Sequence, residues 1–373
     1  MIKRTLSELL VRDFDRRKVM VILGPRQVGK TTLLEQIPIN GNKILHLDCD
    51  NYDDQLLLEK KNKTELANLV AGYDAVFIDE AQRVKNIGLS LKILADLKLA
   101  IPIIVTGSSS LELANEINEP ATGRLLEHIL YPFSLVELAE ENGKREEHRL
   151  LQQRMIFGLY PEVVTNPQYA QNTLTSITNS YLYKDLLEYK GIKKPEILRK
   201  LVVALALQVG SEVSYNELSN TVGVDKETIE SYISLLEKCF VVFQLNSFSR
   251  NLRNEIKKGK KIYFYDNGVR NALISNFAPM ELRNDAGPLW ENLMISERRK
   301  RNEYLQSYAQ MYFWRTQQQK EIDFLEWKDG RLMAYEFKWK AKKNASVPKA
   351  FSEAYPDATF MTITPENYWD FIS

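Results

Sequence analysis

The stretch from residue 18 to residue 37, KVMVILGPRQVGKTTLLEQI, constrains the fold more than any other part of the chain. The apolar run from Val19 to Leu23 predicts a buried strand, and a helical pattern follows the second glycine. The segment between them, GPRQVGKT, has the spacing of a phosphate-binding loop. In such a loop the glycines let backbone N–H groups wrap a phosphate, and the dipole of the following helix adds to the attraction.

This loop predicts a residue for each part of a bound nucleotide. We expect Lys30 to meet the β- and γ-phosphates and Thr31 to bind Mg²⁺ through its hydroxyl. The complete nucleotide-binding segment is expected to be Gly24, Pro25, Arg26, Gln27, Val28, Gly29, Lys30, Thr31 and Thr32. A glycine turn that only opens a helix does not require the Lys-Thr pair. The sequence therefore predicts ATP and Mg²⁺ as cofactors.

Two further apolar runs end in polar residues. YDAVFIDEAQRV predicts a strand ending at Asp79 and Glu80, where P-loop enzymes place a second Mg²⁺ anchor and a residue that polarises the attacking water. IPIIVTGSSS predicts a strand ending at Thr106 to Ser109, and Ser108 is the candidate that senses the γ-phosphate; a plain turn is the alternative. KILHLDCD predicts a fourth strand, at 43–50. Alternating strands and helices predict a parallel sheet with helices on both faces.

Arg124, in TGRLLEH, is the candidate for an arginine that neutralises charge in the transition state. It would act from the same subunit or from a neighbouring one, and the second case requires a homo-oligomer. The alternative is a surface or structural arginine.

Composition narrows the class of protein. With 373 residues, of which 44% are hydrophobic and 27% charged, the chain is typical of a globular protein of two or three domains. The net charge of +1 means that nucleic-acid contacts must come from local patches. Two distant cysteines, Cys49 and Cys239, exclude a thiolate zinc site and do not suggest a disulfide framework. The charged N-terminus does not resemble a signal peptide, and no stretch is long enough for a membrane span, so we expect a cytoplasmic protein with no membrane partner.

The middle of the chain divides into two predicted parts. Residues 141–194 read as helices, which suggest a lid or connector packed on the ATPase core. Residues 195–266 predict three helices and two strands, the elements of a winged helix-turn-helix. Asp225 is the expected N-cap of the third helix. That helix is expected to present these residues outward: Lys226, Thr228, Ser231 and Tyr232.

A basic segment joins the two strands of the predicted wing. One acidic residue, Glu255, accompanies six basic ones: Arg250, Arg253, Lys257, Lys258, Lys260 and Lys261. This patch suits a phosphate backbone and makes nucleic acid, with DNA as the first choice, the expected partner. Winged helices also serve as protein-interaction or lid modules, and charge runs are often solvated loops.

Near the end of the chain, EIDFLEWKDGRLMAYEFKW predicts two strands and a turn. Because side chains two apart on a strand share a face, the charged residues are expected on one side and the apolar ones on the other. The charged set is Glu321, Asp323, Glu336 and Lys338. The apolar set is Ile322, Phe324 and Phe337.

Carboxylates in this arrangement are candidate metal ligands. Asp323 and Glu336 could bind Mg²⁺ with the carbonyl of Phe337, while Lys338 stabilises a metal-bound hydroxide. On the preceding helix Glu291 could orient a water or a second metal, and Arg315 could hold a phosphate. Opposite charges on neighbouring strands are also favourable without any metal, so a salt-bridge ladder is the alternative.

Several motifs follow one another in a specific order: VILGPRQVGKTTLL, FIDEAQ, VTGSSS, YPFSLVEL, YLYKDLLE, KIYFYDNGVRNAL, GPLWENLM, EIDF and YEFKW. With this series the chain resembles the prokaryotic AAA-type (archaeal-ATPase-like) P-loop ATPases that carry a C-terminal domain of formerly unknown function, similar to the PD-(D/E)xK nucleases. The resemblance covers essentially the whole chain. It implies ATP binding by residues 24–32, Mg²⁺ and water handling at Asp79 and Glu80, and a winged-helix middle. It also implies nuclease-fold positions at Glu291, Asp323, Glu336 and Lys338.

We therefore predict an α/β protein of four parts. These are an AAA-type P-loop ATPase domain with a parallel sheet (1–140), a helical lid or connector (141–194), a winged helix-turn-helix (195–266) and an α/β restriction-endonuclease-like domain of the PD-(D/E)xK type (267–373). The predicted function is Mg²⁺-dependent ATP hydrolysis coupled to nucleic-acid binding, with nuclease activity of the tail left open. The alternative is an ATP-dependent switch whose nuclease-like domain is inactive and binds DNA or a protein partner.

Overall fold

The computed structural model describes residues 1–107, 123–182, 194–249, 259–316, 318–340 and 346–373. The chain forms two compact units, one of residues 1–133 with 238–240 and the other of residues 134–237 with 241–373. Ser108 and most of the predicted basic wing lie outside the described residues: Arg250, Arg253, Glu255, Lys257 and Lys258. No helix in the described ranges combines the length and the apolar character needed to cross a bilayer.

A parallel five-stranded sheet forms the centre of the first unit, in the order β2-β3-β4-β1-β5. Its strands are β1 (Val19–Leu23), β2 (Ile44–Asp48), β3 (Ala75–Asp79), β4 (Ile103–Gly107) and β5 (Leu125–Ile129). Strands β1, β3 and β4 are buried at every position, as in a sheet covered on both faces. The four predicted strands and their parallel pairing are confirmed. Strand β5 was not predicted, because Glu127 and His128 interrupt its apolar run.

Five helices belong to the described part of this unit: α1 (Thr5–Asp13), α2 (Lys30–Gln36), α3 (Tyr52–Leu58), α4 (Lys63–Val70) and α5 (Ile87–Asp96). Helix α2 begins directly after the glycine-rich loop, and a capping box of Asn62 and Glu65 opens α4. Strand β4 lies between β1 and β3. The C-terminal ends of these three strands therefore meet at one edge of the sheet.

The helices of the second part of the chain are mostly short. They are α6 (Leu135–Asn142), α7 (Lys144–Arg149), α8 (Leu151–Phe157), α9 (Pro161–Thr165), α10 (Ala170–Ser176) with a π-helical segment (Ile177–Leu182), α11 (Pro195–Leu207), α12 (Tyr215–Val222), α13 (Lys226–Lys238), α14 (Asn267–Leu273), α15 (Ala286–Tyr304), α16 (Lys349–Ala354) and α17 (Tyr368–Ile372). The predicted cap of α13 is confirmed, because the backbone N–H of Thr228 donates to Asp225 at 2.7 Å.

A seven-stranded sheet runs through the second unit in the order β12-β11-β10-β9-β7-β8-β6. Its strands are β6 (Glu212–Val213), β7 (Val242–Ser247), β8 (Lys260–Phe264), β9 (Gln310–Arg315), β10 (Glu321–Lys328), β11 (Arg331–Phe337) and β12 (Thr359–Ile363). Strand β7 pairs with β9 in parallel, Asn246 opposite Tyr312. One sheet therefore crosses the predicted boundary between residues 266 and 267, since the strands of the expected wing and tail share hydrogen bonds.

The described part of residues 141–194 has contacts inside the second unit, through a buried polar network that includes α14 and the residue before it. That residues 141–194 pack on the ATPase core stays a prediction. The Asp266 carboxylate accepts a hydrogen bond from the N–H of Leu159 at 2.7 Å, and the Asn271 amide donates to the carbonyl of Ile156 at 2.8 Å. Arg270 donates to the carbonyl of Ala206 at 2.7 Å. These bonds join α8 and α11 to α14.

Candidate functional site

The phosphate-binding loop connects the end of β1 to the start of α2. A Cβ atom on Gly24 would lie 2.2 Å from the carbonyl oxygen of Leu130, so this position requires glycine. Gly29 has a φ of 88°, in the left-handed region, and directly precedes α2. The Lys30 ammonium donates to the carbonyl oxygens of Gly24 at 3.0 Å and Pro25 at 3.1 Å. The two glycines thus permit the sharp backbone turns of the loop.

Thr31 and Asp79 meet beside this loop, although they are far apart in sequence. The Thr31 hydroxyl donates to the Asp79 carboxylate at 2.6 Å. Asp79 is 5% exposed and also accepts a hydrogen bond from the Thr106 hydroxyl. Hydroxyl and carboxylate oxygens are the ligands that Mg²⁺ prefers, so the pair fits a magnesium ion.

Thr106 lies near the end of β4, between the phosphate-binding loop that follows β1 and the Asp79–Glu80 pair at the end of β3. Its hydroxyl contacts Asp79 and also accepts a hydrogen bond from the backbone N–H of Glu80 at 3.1 Å. The sequence favoured Ser108 for this role, and Ser108 lies outside the described residues. Both residues belong to the same predicted strand end. The sheet order puts this strand end between β1 and β3, and the contacts with Asp79 and Glu80 are those of Thr106.

Glu80 follows β3 in a constrained conformation. Its φ is 51°, a left-handed value that residues other than glycine rarely adopt. Its carboxylate accepts a hydrogen bond from the Gln82 side chain at 2.5 Å. Together with the bond from its N–H to Thr106, this contact holds Glu80 in place next to Asp79.

Arg4 supports the loop from outside and was not identified from the sequence. Its guanidinium is buried and donates to the carbonyl oxygens of Val28 at 2.8 Å and Tyr131 at 2.5 Å. It also lies 4.7 Å from the centroid of the Phe133 ring, a cation–π distance. No local pattern predicts these contacts, because Arg4 stands among other charged residues at the N-terminus.

Arg124 lies at the opposite edge of the sheet. It directly precedes β5, whose first residue Leu125 pairs with Val19 at the start of β1, whereas the loop follows Leu23 at the end of β1. A strand of this length separates the two edges by roughly 16 Å. The Arg124 side chain is half exposed and pairs with Asp96 at 2.6 Å. Arg124 therefore lies away from the loop of its own subunit, and its predicted action, in the same subunit or on a neighbouring one, stays a prediction.

Helix α13 exposes only part of the surface predicted for DNA contact. Lys226 and Ser231 are exposed, and Thr228 is half-buried. Tyr232 was expected to point outward but is only 7% exposed, because it lies three residues after the buried Ile229 on the apolar face of the helix.

Lys261 was also predicted to belong to the basic surface of the wing, and this prediction is wrong. Its side chain is 2% exposed, its Nζ atom lies 3.3 Å from Glu291, and it forms an ion pair with Glu321. Lys260, by contrast, is half-buried and lies over the ring of Tyr215. Neighbouring residues of a strand point to opposite faces, so the two lysines separate. Lys261 therefore contacts carboxylates of the tail.

A cleft of about 250 Å³ lies between the start of α12, α13 and the start of β8. Lys226 and Lys260 line it together with the carboxylate of Glu230. The other lining residues are Val213, Ser214, Tyr215, Asn216 and Gly259. The described part of the predicted DNA-binding surface thus includes a cleft with two lysines.

In the tail, a β-bulge interrupts β10 at Asp323. Ile322 pairs with Trp314 and Leu325 pairs with Tyr312, so two residues of β10 stand opposite one residue of β9. Bulges of this kind re-aim side chains and are frequent beside functional sites.

The bulge also changes which apolar side chains share a face. Ile322 packs with Leu325 in one apolar cluster, whereas the ring of Phe324 packs near those of Phe337 and Phe371. The prediction that Ile322, Phe324 and Phe337 share a face is therefore wrong for Ile322, because the extra residue shifts the alternation along the strand.

Four carboxylates and two lysines come together beside the bulge, and we call them the tail cluster: Glu291 of α15, Glu321 and Asp323 of β10, Glu336 of β11, Lys261 of β8 and Lys338. Asp323 accepts a hydrogen bond from the backbone N–H of Phe337 at 2.9 Å. Lys338 donates to Glu336 at 2.7 Å, and the Tyr263 hydroxyl donates to Glu291 at 2.5 Å.

Burial and mutual repulsion control protonation in the tail cluster. Burial, reinforced by the carboxylates of Glu291 and Glu336, raises the pKa of Asp323 well above its ordinary value. Burial opposes the charged form of Lys261, but the Glu291 and Glu321 carboxylates outweigh it and raise the pKa of Lys261. The cluster therefore favours the charged form of Lys261 and disfavours the charged form of Asp323.

The structure thus brings the predicted ligands Glu291, Asp323 and Glu336 into one cluster, in contact with cations of the protein. Within the described residues, no group of three or more His, Cys, Asp or Glu side chains is arranged to hold a metal ion. Arg315, predicted to hold a phosphate, pairs instead with Glu212 at 3.0 Å and lies 3.5 Å from Glu321.

Comparison with protein-family models identifies three segments. Residues 16–139 match the AAA domain, whereas residues 148–280 and 286–368 each match a domain of unknown function, DUF8612 and DUF4143. The second segment extends across the predicted winged helix and beyond it. The models that match the second and third segments describe domains of unknown function, so they assign no activity to these residues.

Two relatives in sequence and one solved structure are similar to this chain. An uncharacterized protein of Mycobacterium tuberculosis is 27% identical over 370 residues, covering 95% of this chain and 77% of the relative. An uncharacterized protein of Haemophilus influenzae is 26% identical over 288 residues, covering 71% of each. The Walker-type ATPase PABY2304 of Pyrococcus abyssi has a TM-score of 0.50 and 16% identity, covering 74% of this chain and 96% of that one. Residues 16–139 thus match an AAA-domain model and contain a parallel sheet, and the chain is similar in fold to a Walker-type ATPase.

Proposed function

We propose that the protein hydrolyses ATP with Mg²⁺ at the loop that follows β1. The observation that carries this proposal is the 2.6 Å hydrogen bond between Thr31 and Asp79, which brings two separate sequence motifs to one point. When bound, Mg²⁺ supplies positive charge that neutralises the oxygens of the β- and γ-phosphates. Thr31 and Asp79 would hold the ion, and Lys30 would exchange its contacts with loop carbonyls for phosphate oxygens. The backbone N–H groups of residues 24–32 would surround the phosphates.

Glu80 and Thr106 complete the proposed hydrolytic site. Glu80 orients the attacking water and accepts its proton, a role that requires a carboxylate fixed close to the γ-phosphate. The Thr106 hydroxyl contacts both Asp79 and the backbone of Glu80, so it keeps the metal-binding and water-orienting groups in register. Thr106 is therefore a positioning residue and, through its place at the end of β4, a candidate sensor of the γ-phosphate.

Steady-state hydrolysis of ATP tests this proposal with three variants. Lys30→Ala should abolish turnover, and full turnover in that variant would refute the assignment. Thr31→Ala should raise the Mg²⁺ concentration needed for half-maximal rate, because it removes one metal ligand. Thr31→Ser is the matched control, since it keeps the hydroxyl and should behave like the unaltered protein.

We further propose that nucleic acid, DNA in the first place, binds at the cleft between α12, α13 and β8. The order of α11, α12, α13, β7 and β8 is that of a winged helix-turn-helix, and Lys226 and Lys260 line the cleft. Two ammonium groups in one cleft suit the phosphates of a nucleic-acid backbone. Glu230 also lines the cleft and would disfavour a phosphate next to it.

A charge-reversal experiment tests this surface. Lys226→Glu combined with Lys260→Glu should weaken DNA binding and reduce the dependence of affinity on salt, because two phosphate contacts are lost. Lys349→Glu, at an exposed lysine that does not line the cleft, is the control. Unchanged affinity in the double variant would remove DNA from this cleft and leave a protein partner or a lid role.

Of the two roles that the sequence left open for the tail, we propose the one without cleavage, in which the tail binds DNA or a protein partner under the control of the ATPase. The buried ion pairs of Lys261 with Glu291 and Glu321 favour it, because these carboxylates already have a cation. Labelled DNA and RNA incubated with Mg²⁺ or Mn²⁺, with and without ATP, should stay intact. Cleavage that vanishes in Asp323→Ala would make the tail cluster a nuclease site.

A further inference from the structure

Lys261 places a positive charge inside the tail cluster, where the sequence predicted a metal ion. The ammonium lies 3.3 Å from Glu291 Oε1 and forms a second ion pair with Glu321 Oε1. Its side chain is 2% exposed, and Nζ lies 5.5 Å from the centroid of the Phe313 ring. A buried ammonium is stable only where carboxylates compensate it, so this position of Lys261 depends on the cluster.

Other groups of the protein also bind the carboxylates of the cluster. Each contact occupies one oxygen of its carboxylate. The contacts are Tyr263 hydroxyl to Glu291, Arg315 to Glu321, Phe337 N–H to Asp323 and Lys338 to Glu336. Every carboxylate of the cluster thus has at least one oxygen bound by the chain itself.

A divalent ion and the Lys261 ammonium compete for the same space. Mg²⁺ binds carboxylate oxygens at about 2.0–2.1 Å, closer than an ammonium does, so an ion held by Glu291 and Glu321 would overlap the position of Nζ. Two cations this close in a buried site also repel each other strongly. An ion shared by Glu291 and Glu321 therefore does not fit while Lys261 is in place. The charge of Lys261 also acts on Asp323, and within the described residues no three acidic side chains are arranged to hold a metal ion.

We propose that Lys261 is the resident cation of the tail cluster, and that the cluster binds a divalent metal ion only when this lysine is removed. The inference deepens the proposed role of the tail without cleavage and rests on it. It does not involve ATP hydrolysis. Lys261 thus determines which cation the carboxylates bind, and it is a specificity residue even though the sequence placed it in the wing.

Metal binding to the nucleotide-free protein tests this inference. Mn²⁺ is titrated into the unaltered chain, Lys261→Met, Asp323→Asn and the double variant Lys261→Met with Asp323→Asn, and free Mn²⁺ is followed by electron paramagnetic resonance. Methionine keeps the length and apolar stem of lysine but has no charge. Loss of Mn²⁺ binding in Asp323→Asn shows that the ion was bound at the tail cluster. Binding that persists in Asp323→Asn is at another site, such as Thr31 and Asp79.

The expected result is that only Lys261→Met gains a site, that this site binds Mn²⁺ at least about tenfold more tightly than any site of the unaltered chain, and that Asp323→Asn removes it. A site in the unaltered chain that Asp323→Asn removes would overturn the inference, and so would a Lys261→Met variant that folds without gaining a site. If Lys261→Met does not fold, thermal unfolding of the unaltered chain decides. Adding Mn²⁺ should shift the unfolding midpoint of the unaltered chain no more than it shifts that of Asp323→Asn. A larger shift in the unaltered chain would show stabilisation that depends on Asp323, and it would overturn the inference.

The outcome of this test is independent of the cleavage assay. DNA cleavage without a tail metal site would contradict the proposed role of the tail and leave the inference on Lys261 intact. A tail metal site without cleavage would overturn the inference and leave the proposed role intact.

Discussion

The guanidinium of Arg4 donates a hydrogen bond to the carbonyl oxygen of Val28 at 2.8 Å, in the middle of the phosphate-binding loop. Through its second bond, to Tyr131, the same side chain joins the loop to the segment after β5. The loop backbone is thus held by a side chain from outside the loop. A phosphate-binding loop works by presenting N–H groups in a fixed geometry. Because Arg4 holds the loop backbone, we expect it to increase the affinity for nucleotide without contacting the nucleotide.

Replacing Arg4 by methionine should raise the KM for ATP several-fold while kcat changes less, because the loop loses its support but keeps its catalytic groups. The free energy of unfolding should fall by about 1.5–3 kcal/mol for each charged hydrogen bond lost. Kinetics and chemical denaturation measure the two effects. Lys43→Met, at an exposed position before β2, is the control and should change neither. Equal loss of stability with unchanged KM would show that Arg4 is structural only.

Glu80→Gln should bind ATP with unchanged affinity and lose turnover by about a hundredfold or more, because the amide cannot accept a proton from water. The variant keeps the side-chain volume and an oxygen for the contact with Gln82. Fluorescent-nucleotide binding and single-turnover hydrolysis separate the two quantities. Glu35→Gln, on the exposed side of α2, controls for loss of charge near the loop. Turnover close to normal in Glu80→Gln would assign the water to another residue.

Arg124→Ala should keep the rate of ATP hydrolysis in dilute solution, because Arg124 precedes β5 at the edge of the sheet opposite the loop. The measurement is turnover across a range of protein concentrations. A loss of activity that is restored by mixing with inactive Lys30→Ala protein, whose Arg124 is intact, would instead establish action between subunits.

His128 should make the first unit less stable as the pH falls below 6.5. It is 5% exposed, and its Nε2 atom lies 3.4 Å from Asp13. Burial lowers the pKa of His128 below its ordinary value of 6.5, Arg16 and Arg12 act in the same direction, and Asp13 opposes them. The unfolded chain then binds a proton more readily than the folded one, so stability is complete above pH 6.5 and is lost as the pH decreases towards the folded pKa.

Denaturation of the unaltered chain and His128→Leu between about pH 7.5 and pH 5.5 measures this contribution. The leucine variant should show a smaller decline in stability across this range. Equal slopes would mean that other groups cause the acid sensitivity.

The meeting of Thr31 with Asp79 could be predicted because each belongs to a short contiguous motif at a strand end. Lys30 and Thr31 follow β1, and Asp79 ends β3, so the residues that matter are visible without tertiary information. Thr106 belonged to the predicted strand end, but its contacts with Asp79 and Glu80 could not be predicted, since they depend on which side chain faces β3.

The tail and the wing were predicted less well for a different physical reason. A run of basic residues suggested one patch, but the alternation along β8 sends Lys260 and Lys261 to different environments. The bulge at Asp323 changes the alternation again, and it leaves no local sign in the sequence. The apolar period of α13 already implied that Tyr232 is buried, because it follows Ile229 by three positions.

The parallel pairing of β7 with β9 limits how this chain can be divided. A fragment that ends at residue 266 would leave β7 with an open edge, and unpaired N–H and C=O groups of such an edge recruit strands from other molecules. The middle segment produced by itself should therefore self-associate. Recombination between relatives faces the same restriction, because a tail transferred without β7 would lose the strand on which β9 is built. The wing strands and the tail are thus expected to be inherited together.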